Sequence, residues 1–87
     1  MHLKYEFEIM ELGDRIVAVP VGDSVNCFRG VIKMNETAAF VFDLLKEEQT
    51  KESILEALKL KYDASEDVLL KELNNYIMIF SEKGLLV

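Results

Sequence analysis

The sequence has few of the side chains that most often carry chemistry. Its 87 residues include one cysteine, Cys27, one histidine, His2, and no tryptophan. A lone cysteine excludes an intrachain disulfide, and a tetrahedral zinc site needs about four ligands, which these two residues do not supply. We therefore expect no metal site. An unpaired cysteine without any disulfide is typical of a reducing compartment, so we expect a cytoplasmic protein.

The same scarcity argues against catalysis. His2 lies next to the N-terminus, where side chains are commonly solvated, and no second histidine is present to activate the Cys27 thiol. The four glycines are scattered, so they build no loop that could hold a phosphate. The sequence predicts a protein that is not an enzyme and that needs no cofactor.

Long apolar runs and an excess of positive charge are also lacking. No stretch reaches the roughly 20 apolar residues of a membrane span, and the first residues do not have the pattern of a signal peptide. Ten basic residues against 16 acidic ones give a formal net charge of −6, which disfavours binding to a phosphate backbone. We expect neither a membrane nor a nucleic acid among the partners.

What the chain does have is enough apolar material for one core. Hydrophobic residues make up 51% of the sequence, and 87 residues suffice for a single domain that spans 1–87. Asn35 marks the point around which this domain is organised. The residues just before it favour a strand, those after it favour a helix, and asparagine is a preferred N-cap.

The first third of the chain predicts a three-stranded antiparallel sheet. We expect strands at 7–12, 16–19 and 31–34. The Gly13-Asp14 pair is typical of a tight hairpin turn, and Pro20 favours the end or the edge of the second strand. Residues 22–24 are typical of a turn. Residues 25–28 leave two interpretations open, an extension of the third strand or irregular structure.

The rest of the chain predicts three helices, at about 36–47, 51–61 and 66–83. Asn35, Thr50 and Ser65 are their expected N-caps, and Gly84 is placed for a left-handed C-cap of the third helix. The residues after Gly84 could return to the sheet as a short strand. The predicted fold class is therefore α+β, resembling a winged helix-turn-helix in which the sheet comes first.

A strip on the third helix is left over beside its core stripe, to which Tyr76 and Phe80 belong. It consists of Val68, Glu72, Asn75 and Ile79, while Met78 lies on the opposite flank. One interpretation is a wide core edge that touches the sheet. The other is an apolar groove between this helix and a strand edge, where an extended peptide could add as a further strand.

Two segments resemble known sequence motifs. Residues 33–45, KMNETAAFVFDLL, are similar to the "LNETAA…(aromatic)…LL" signature of the PqqD-like family. Residues 72–80, ELNNYIMIF, followed by GLL at 84–86, resemble the ending typical of that family. Met34 stands where the family usually has leucine, and Glu72 stands where aspartate is common. The likeness extends from about Ile16 to the C-terminus.

The resemblance implies a recognition element for ribosomally made, post-translationally modified peptides (a RiPP recognition element). Such a domain is a non-catalytic chaperone. It binds the leader of a precursor peptide by strand addition and presents the peptide to a modifying enzyme, often a radical S-adenosylmethionine (SAM) enzyme. By position, the peptide-binding strand of that family corresponds here to Phe28, Arg29, Gly30, Val31, Ile32 and Lys33. The helix residues are Val68, Glu72, Asn75 and Ile79, or alternatively Leu70, Asn74, Met78 and Ser81 on the other flank.

Other functions remain open at this point. The helix-turn-helix outline also fits a DNA-binding regulator, but residues 66–83 carry four acidic and two basic side chains, and a major-groove helix lies between phosphates. A structural adaptor subunit that docks on a larger enzyme is a further alternative. An open strand edge could also pair two copies into a homodimer.

Overall fold

The N-terminal part of the chain folds into an antiparallel sheet of three strands in the order β1-β2-β3. In the computed structural model, which describes residues 1–87, β1 is Phe7–Leu12, β2 is Arg15–Pro20 and β3 is Ile32–Met34. A two-residue turn joins β1 and β2, and its Gly13, at φ +68°, has the left-handed backbone that such hairpins place there. The predicted sheet is confirmed.

Three helices follow the sheet and confirm the predicted α+β class. They are α1, Glu36–Leu44, α2, Lys51–Lys61, and α3, Glu66–Glu82. Each begins at the expected N-cap residue, and Gly84 has the positive φ, +72°, of a left-handed C-cap after α3. The first helix is shorter than predicted, because its backbone loosens into turns after Leu44.

The Asn35 cap fixes the joint between β3 and α1, since no loop separates the two elements. Its Oδ1 atom accepts a hydrogen bond from the backbone N–H of Ala38 at 2.8 Å. Asn35→Ala should therefore lower the free energy of unfolding by about 1 kcal/mol, measured by urea denaturation. Ser65→Ala is a suitable comparison, because the Ser65 cap bond to the Val68 N–H is longer, 3.4 Å. An equal or larger loss in Ser65→Ala would contradict this ranking of the two caps.

The core lies between the sheet and the helices. Phe42 of α1 is at its centre and contacts Phe7 of β1 and Phe80 of α3 edge to face, with ring centroids 5.2 and 5.3 Å apart. The largest side chains with almost no exposed surface come from all three helices and the segments after α1 and α3; they are Phe42, Leu45, Ile54, Leu58, Leu73, Leu85 and Val41.

The segment between β2 and β3 corrects one expectation. A strand running from Phe28 is wrong, because β3 begins only at Ile32. Residues Gly22–Asn26 form a 3-10 helix, and the Phe28 ring packs against Phe7 at 5.4 Å. Gly30, at φ +92°, then turns the chain into β3. The Phe28 N–H donates a hydrogen bond of 3.0 Å to the Ser24 carbonyl, so its backbone belongs to this helical turn and not to an extended edge.

The C-terminal residues do not return to the three-stranded sheet, which the sequence had suggested as a possibility. They pair instead with the N-terminal residues, through an antiparallel bridge between Leu3 and Leu86. His2 and Val87 exchange backbone hydrogen bonds of 3.1 and 2.9 Å beside this bridge. None of the helices has the length and the apolar character needed to cross a membrane.

Candidate functional site

β3 is an edge strand, and the register of the sheet shows which of its backbone groups are free. Leu12 and Arg15 close the two-residue hairpin, so the odd-numbered residues of β2 bond to β1 and the even-numbered ones face β3. The bond from the Val21 N–H to the Glu6 carbonyl, 3.0 Å, continues this alternation. Ile16 and Ala18 therefore bond to their partners Met34 and Ile32.

Lys33 lies between those two bonded residues of β3. Its N–H and C=O therefore point away from β2, towards the outer edge of the sheet. That edge has no further strand, and none of the loop and turn hydrogen bonds reaches residues 31–34. The chain thus presents a donor and an acceptor at the correct spacing for one more strand.

A shallow groove of about 190 Å³ runs between this edge and α3. Its walls are β3 with the start of α1 on one side and the last two turns of α3 on the other. The lining residues are Ile32, Lys33, Met34, Asn35, Ala38, Tyr76, Ile79, Phe80 and Lys83. The volume is below the 300–1,000 Å³ of typical small-molecule pockets, so the groove has room for a side chain of an extended peptide.

The structure brings together three of the sequence-predicted site residues. Ile32, Lys33 and Ile79 all line the groove. The strip that contains Ile79 is therefore the flank of α3 that faces β3. The alternative flank, with Met78 exposed to 52% of its surface, does not line it.

The other predicted residues lie outside the groove. Phe28 is turned into the core, and residues 29–31 precede β3. Val68, Glu72 and Asn75 lie N-terminal to Tyr76, at most about 12 Å away along the helix axis. They share a strip with Ile79 but do not contact the cavity.

Sequence reasoning missed the other six lining residues, which are Tyr76, Phe80 and Lys83 at the end of α3 and Met34, Asn35 and Ala38 at the joint between β3 and α1. Their spacing places Tyr76 and Phe80 in the core stripe of α3, and both do pack against the core. The Tyr76 hydroxyl also donates a hydrogen bond of 3.4 Å to Asn35 Oδ1, which joins the two sides of the groove. The spacing 76, 79, 80, 83 is itself a helical stripe, and this signal could have identified the lining.

The charges around the groove differ from those of the rest of the chain. Lys33 and Lys83 line it, no acidic residue does, and neither lysine takes part in an ion pair.

The pKa of Glu48 is lowered because its carboxylate accepts hydrogen bonds from the N-terminal ammonium group and from His2. That cluster lies at the terminal pairing, outside the groove. No group of three or more His, Cys, Asp or Glu side chains is arranged to hold a metal ion.

Comparison with known proteins agrees with this architecture. The chain resembles a solved structure of TbiB1 in complex with the TbiA(beta) leader peptide, with a TM-score of 0.72 and 16% sequence identity. The superposition covers 99% of this chain and 94% of that one. No curated protein matches the sequence significantly. Residues 16–86 match the family described as coenzyme PQQ synthesis protein D (PqqD). By this match, which covers most of the sequence, the chain belongs to the PqqD family.

Proposed function

We propose that this protein binds the leader segment of a ribosomally made precursor peptide as an additional strand on the free edge of β3. The observation that carries the proposal is the unpaired edge at Lys33 directly beside the apolar groove under α3. Backbone hydrogen bonds to such an edge supply affinity, and alternate side chains of the guest enter the groove. Membership of the PqqD family and the likeness in fold to TbiB1, whose structure contains a leader peptide, support this assignment.

The role in this proposal is that of a non-catalytic chaperone. The bound leader holds the precursor, and the remainder of the peptide stays free for a modifying enzyme, for which a radical SAM enzyme is the expected class. Co-purification of the chain with any modifying enzyme that neighbouring genes encode, with and without precursor peptide, tests this part. Failure of every neighbouring modifying enzyme to associate in either condition would contradict it.

Isothermal titration calorimetry with leader peptides encoded by neighbouring genes tests the binding itself. Ile79→Asp should weaken binding by about tenfold or more, because the substitution places a charge in the apolar lining of the groove, and a tenfold change corresponds to about 1.4 kcal/mol. Ile79 is only partly buried, so the domain should remain folded.

Met78→Asp is the matched control for this substitution. It makes nearly the same chemical change one residue away, on an exposed flank outside the groove, and should leave the affinity unchanged. Equal effects of the two variants would contradict the assigned flank. Absence of binding to every leader encoded nearby would contradict the proposed function.

A second copy of the chain is the competing occupant of the same edge. Light scattering over a range of concentrations, with and without leader peptide, distinguishes the two occupants. If β3 pairs two copies, the dimer should dissociate when the leader binds, because both would use the Lys33 backbone groups.

A further inference from the structure

The groove is a cationic site on an acidic protein. The chain has a formal net charge of −6, yet both ionic residues among those that line the groove, Lys33 and Lys83, are positive. Both residues are exposed, and every salt bridge of the chain involves other residues. Two unpaired ammonium groups are therefore available to a guest strand at this edge.

The two lysines lie on different sides of a guest strand. Ile32 and its register partner Ala18 are buried on the face of the sheet that meets the helices, so Lys33, one residue further, has its side chain on the outer face beside Val17. Lys83 follows the last turn of α3 and borders the inner, groove side.

Successive side chains of an added strand alternate between these two sides. A guest residue directly opposite Lys33 would point outward, as Lys33 does, whereas a residue that reaches Lys83 would point inward. Two guest residues that meet the two lysines are therefore an odd number of positions apart. A further inward residue, two positions from the one at Lys83, would enter the apolar part of the groove between Ile79 and Tyr76.

On this basis, which rests on the function proposed above, we propose that the groove selects leader segments with two acidic side chains at odd spacing. One carboxylate pairs with Lys33 on the outer face and the other pairs with Lys83 at the end of the groove. An apolar side chain two positions from the inner carboxylate occupies the apolar part of the groove between Ile79 and Tyr76. The substrate class is thus an acidic, extended peptide with one apolar anchor.

Each of these ion pairs contributes only modestly to the binding affinity, because both lysines are exposed. Solvent-exposed ion pairs change affinity by up to about fivefold each, and salt screens them. The charges therefore act on the choice among leaders, while the strand hydrogen bonds and the anchor residue supply most of the affinity.

The test is a selection from a display library of random 12-residue peptides at low salt, followed by sequencing. Four forms of the full chain are compared: wild type, Lys33→Gln, the double variant Lys33→Gln/Lys83→Gln, and Lys71→Gln. Lys71 is the matched control, because it is exposed on α3, has no ion pair and does not line the groove. Amide and methyl NMR shifts of Lys33 and Ile79 establish that the selected peptides occupy the groove.

The expected result is enrichment of Asp or Glu at odd spacing with the wild type and with Lys71→Gln. One of the two acidic positions should be lost in Lys33→Gln and both in the double variant, which should also bind the wild-type peptides several-fold more weakly. Peptides that shift Lys33 and Ile79 without acidic enrichment, or with enrichment unchanged in the double variant, would overturn the charge preference and leave the proposed function standing. Selected peptides that shift neither residue would overturn both.

Discussion

Replacement of Lys33 by proline is expected to abolish most leader binding while the domain stays folded. The Lys33 N–H points to the outer edge, and the bonds between β2 and β3 are made by Ile32 and Met34. Proline is tolerated on an edge strand where its missing N–H faces outward. The guest would lose a hydrogen-bond donor, be left with an unsatisfied carbonyl and meet the proline ring. The combined loss is about 2–4 kcal/mol, or between about thirtyfold and several hundredfold in Kd by isothermal titration calorimetry.

Two further substitutions separate the backbone effect from the others. Lys33→Gln retains the N–H and should change the affinity by about fivefold at most. Ile32→Pro removes an N–H that bonds to β2 and should destabilise the fold itself, visible as a lower Tm by circular dichroism. If Lys33→Pro binds the leader as tightly as Lys33→Gln does, strand addition at β3 is not the mode of binding.

Helix positions could be predicted from the sequence because local signals agree with the tertiary structure at each helix start. Asn35, Thr50 and Ser65 all accept a hydrogen bond from a first-turn N–H, and α2 has the predicted limits. A cap is a local interaction over three residues, so it does not depend on the rest of the fold. The β1–β2 hairpin was predictable for the same reason, through its Gly13-Asp14 turn.

The start of β3 could not be predicted, because it depends on contacts with distant residues. Phe28 has a side chain that favours a strand, but its ring is held against Phe7, and Ser24 accepts a hydrogen bond of 2.7 Å from the Glu6 N–H. These contacts join residues about 20 positions apart and have no local sequence pattern. They shorten the edge strand to three residues, which also limits the part of a guest that can pair with it.

Prediction of the groove would have required knowledge of which side of α3 faces the sheet. Periodicity placed Tyr76 and Phe80 in the core stripe, and it could not distinguish a residue at the centre of the core from one at its border. Tyr76 is half-buried, whereas Phe80 is 2% exposed. The hydrogen bond from the Tyr76 hydroxyl to Asn35 Oδ1 shows which flank of α3 faces the sheet, because it joins this flank to the residue that follows β3. The residue that caps α1 thus also borders the candidate site.

The position of the groove therefore depends on the same aromatic packing that stabilises the domain. Phe42 links β1, α1 and α3 through its edge-to-face contacts, and Phe80 both packs on Phe42 and lines the groove. A change at the centre of this cluster should disturb the spacing between β3 and α3 as well as the stability. Truncation of Phe42 should consequently impair both folding and leader binding, whereas Ile79→Asp should impair binding and leave the domain folded.

Phe42→Ala is expected to be the most destabilising substitution of those considered. Phe42 has no exposed surface, and its removal leaves a cavity between Phe7 and Phe80. Truncation of a buried phenylalanine costs about 3–5 kcal/mol, whereas a small domain has about 5–15 kcal/mol in total and one of this size belongs near the lower limit. The variant should be largely unfolded at 37 °C, as measured by guanidinium and thermal denaturation with far-UV circular dichroism.

Phe40→Ala, in the same helix, provides the matched control. Phe40 is half-buried on another face of α1, where it contacts Tyr62 edge to face at 6.0 Å and lies under the Lys61 ammonium group. Its truncation removes less buried surface and leaves no enclosed cavity, so it should cost distinctly less than Phe42→Ala and leave leader binding intact. Equal losses of stability in the two variants would show that the Phe7–Phe42–Phe80 cluster is not the centre of the core, and would remove the reason to expect that the groove depends on it.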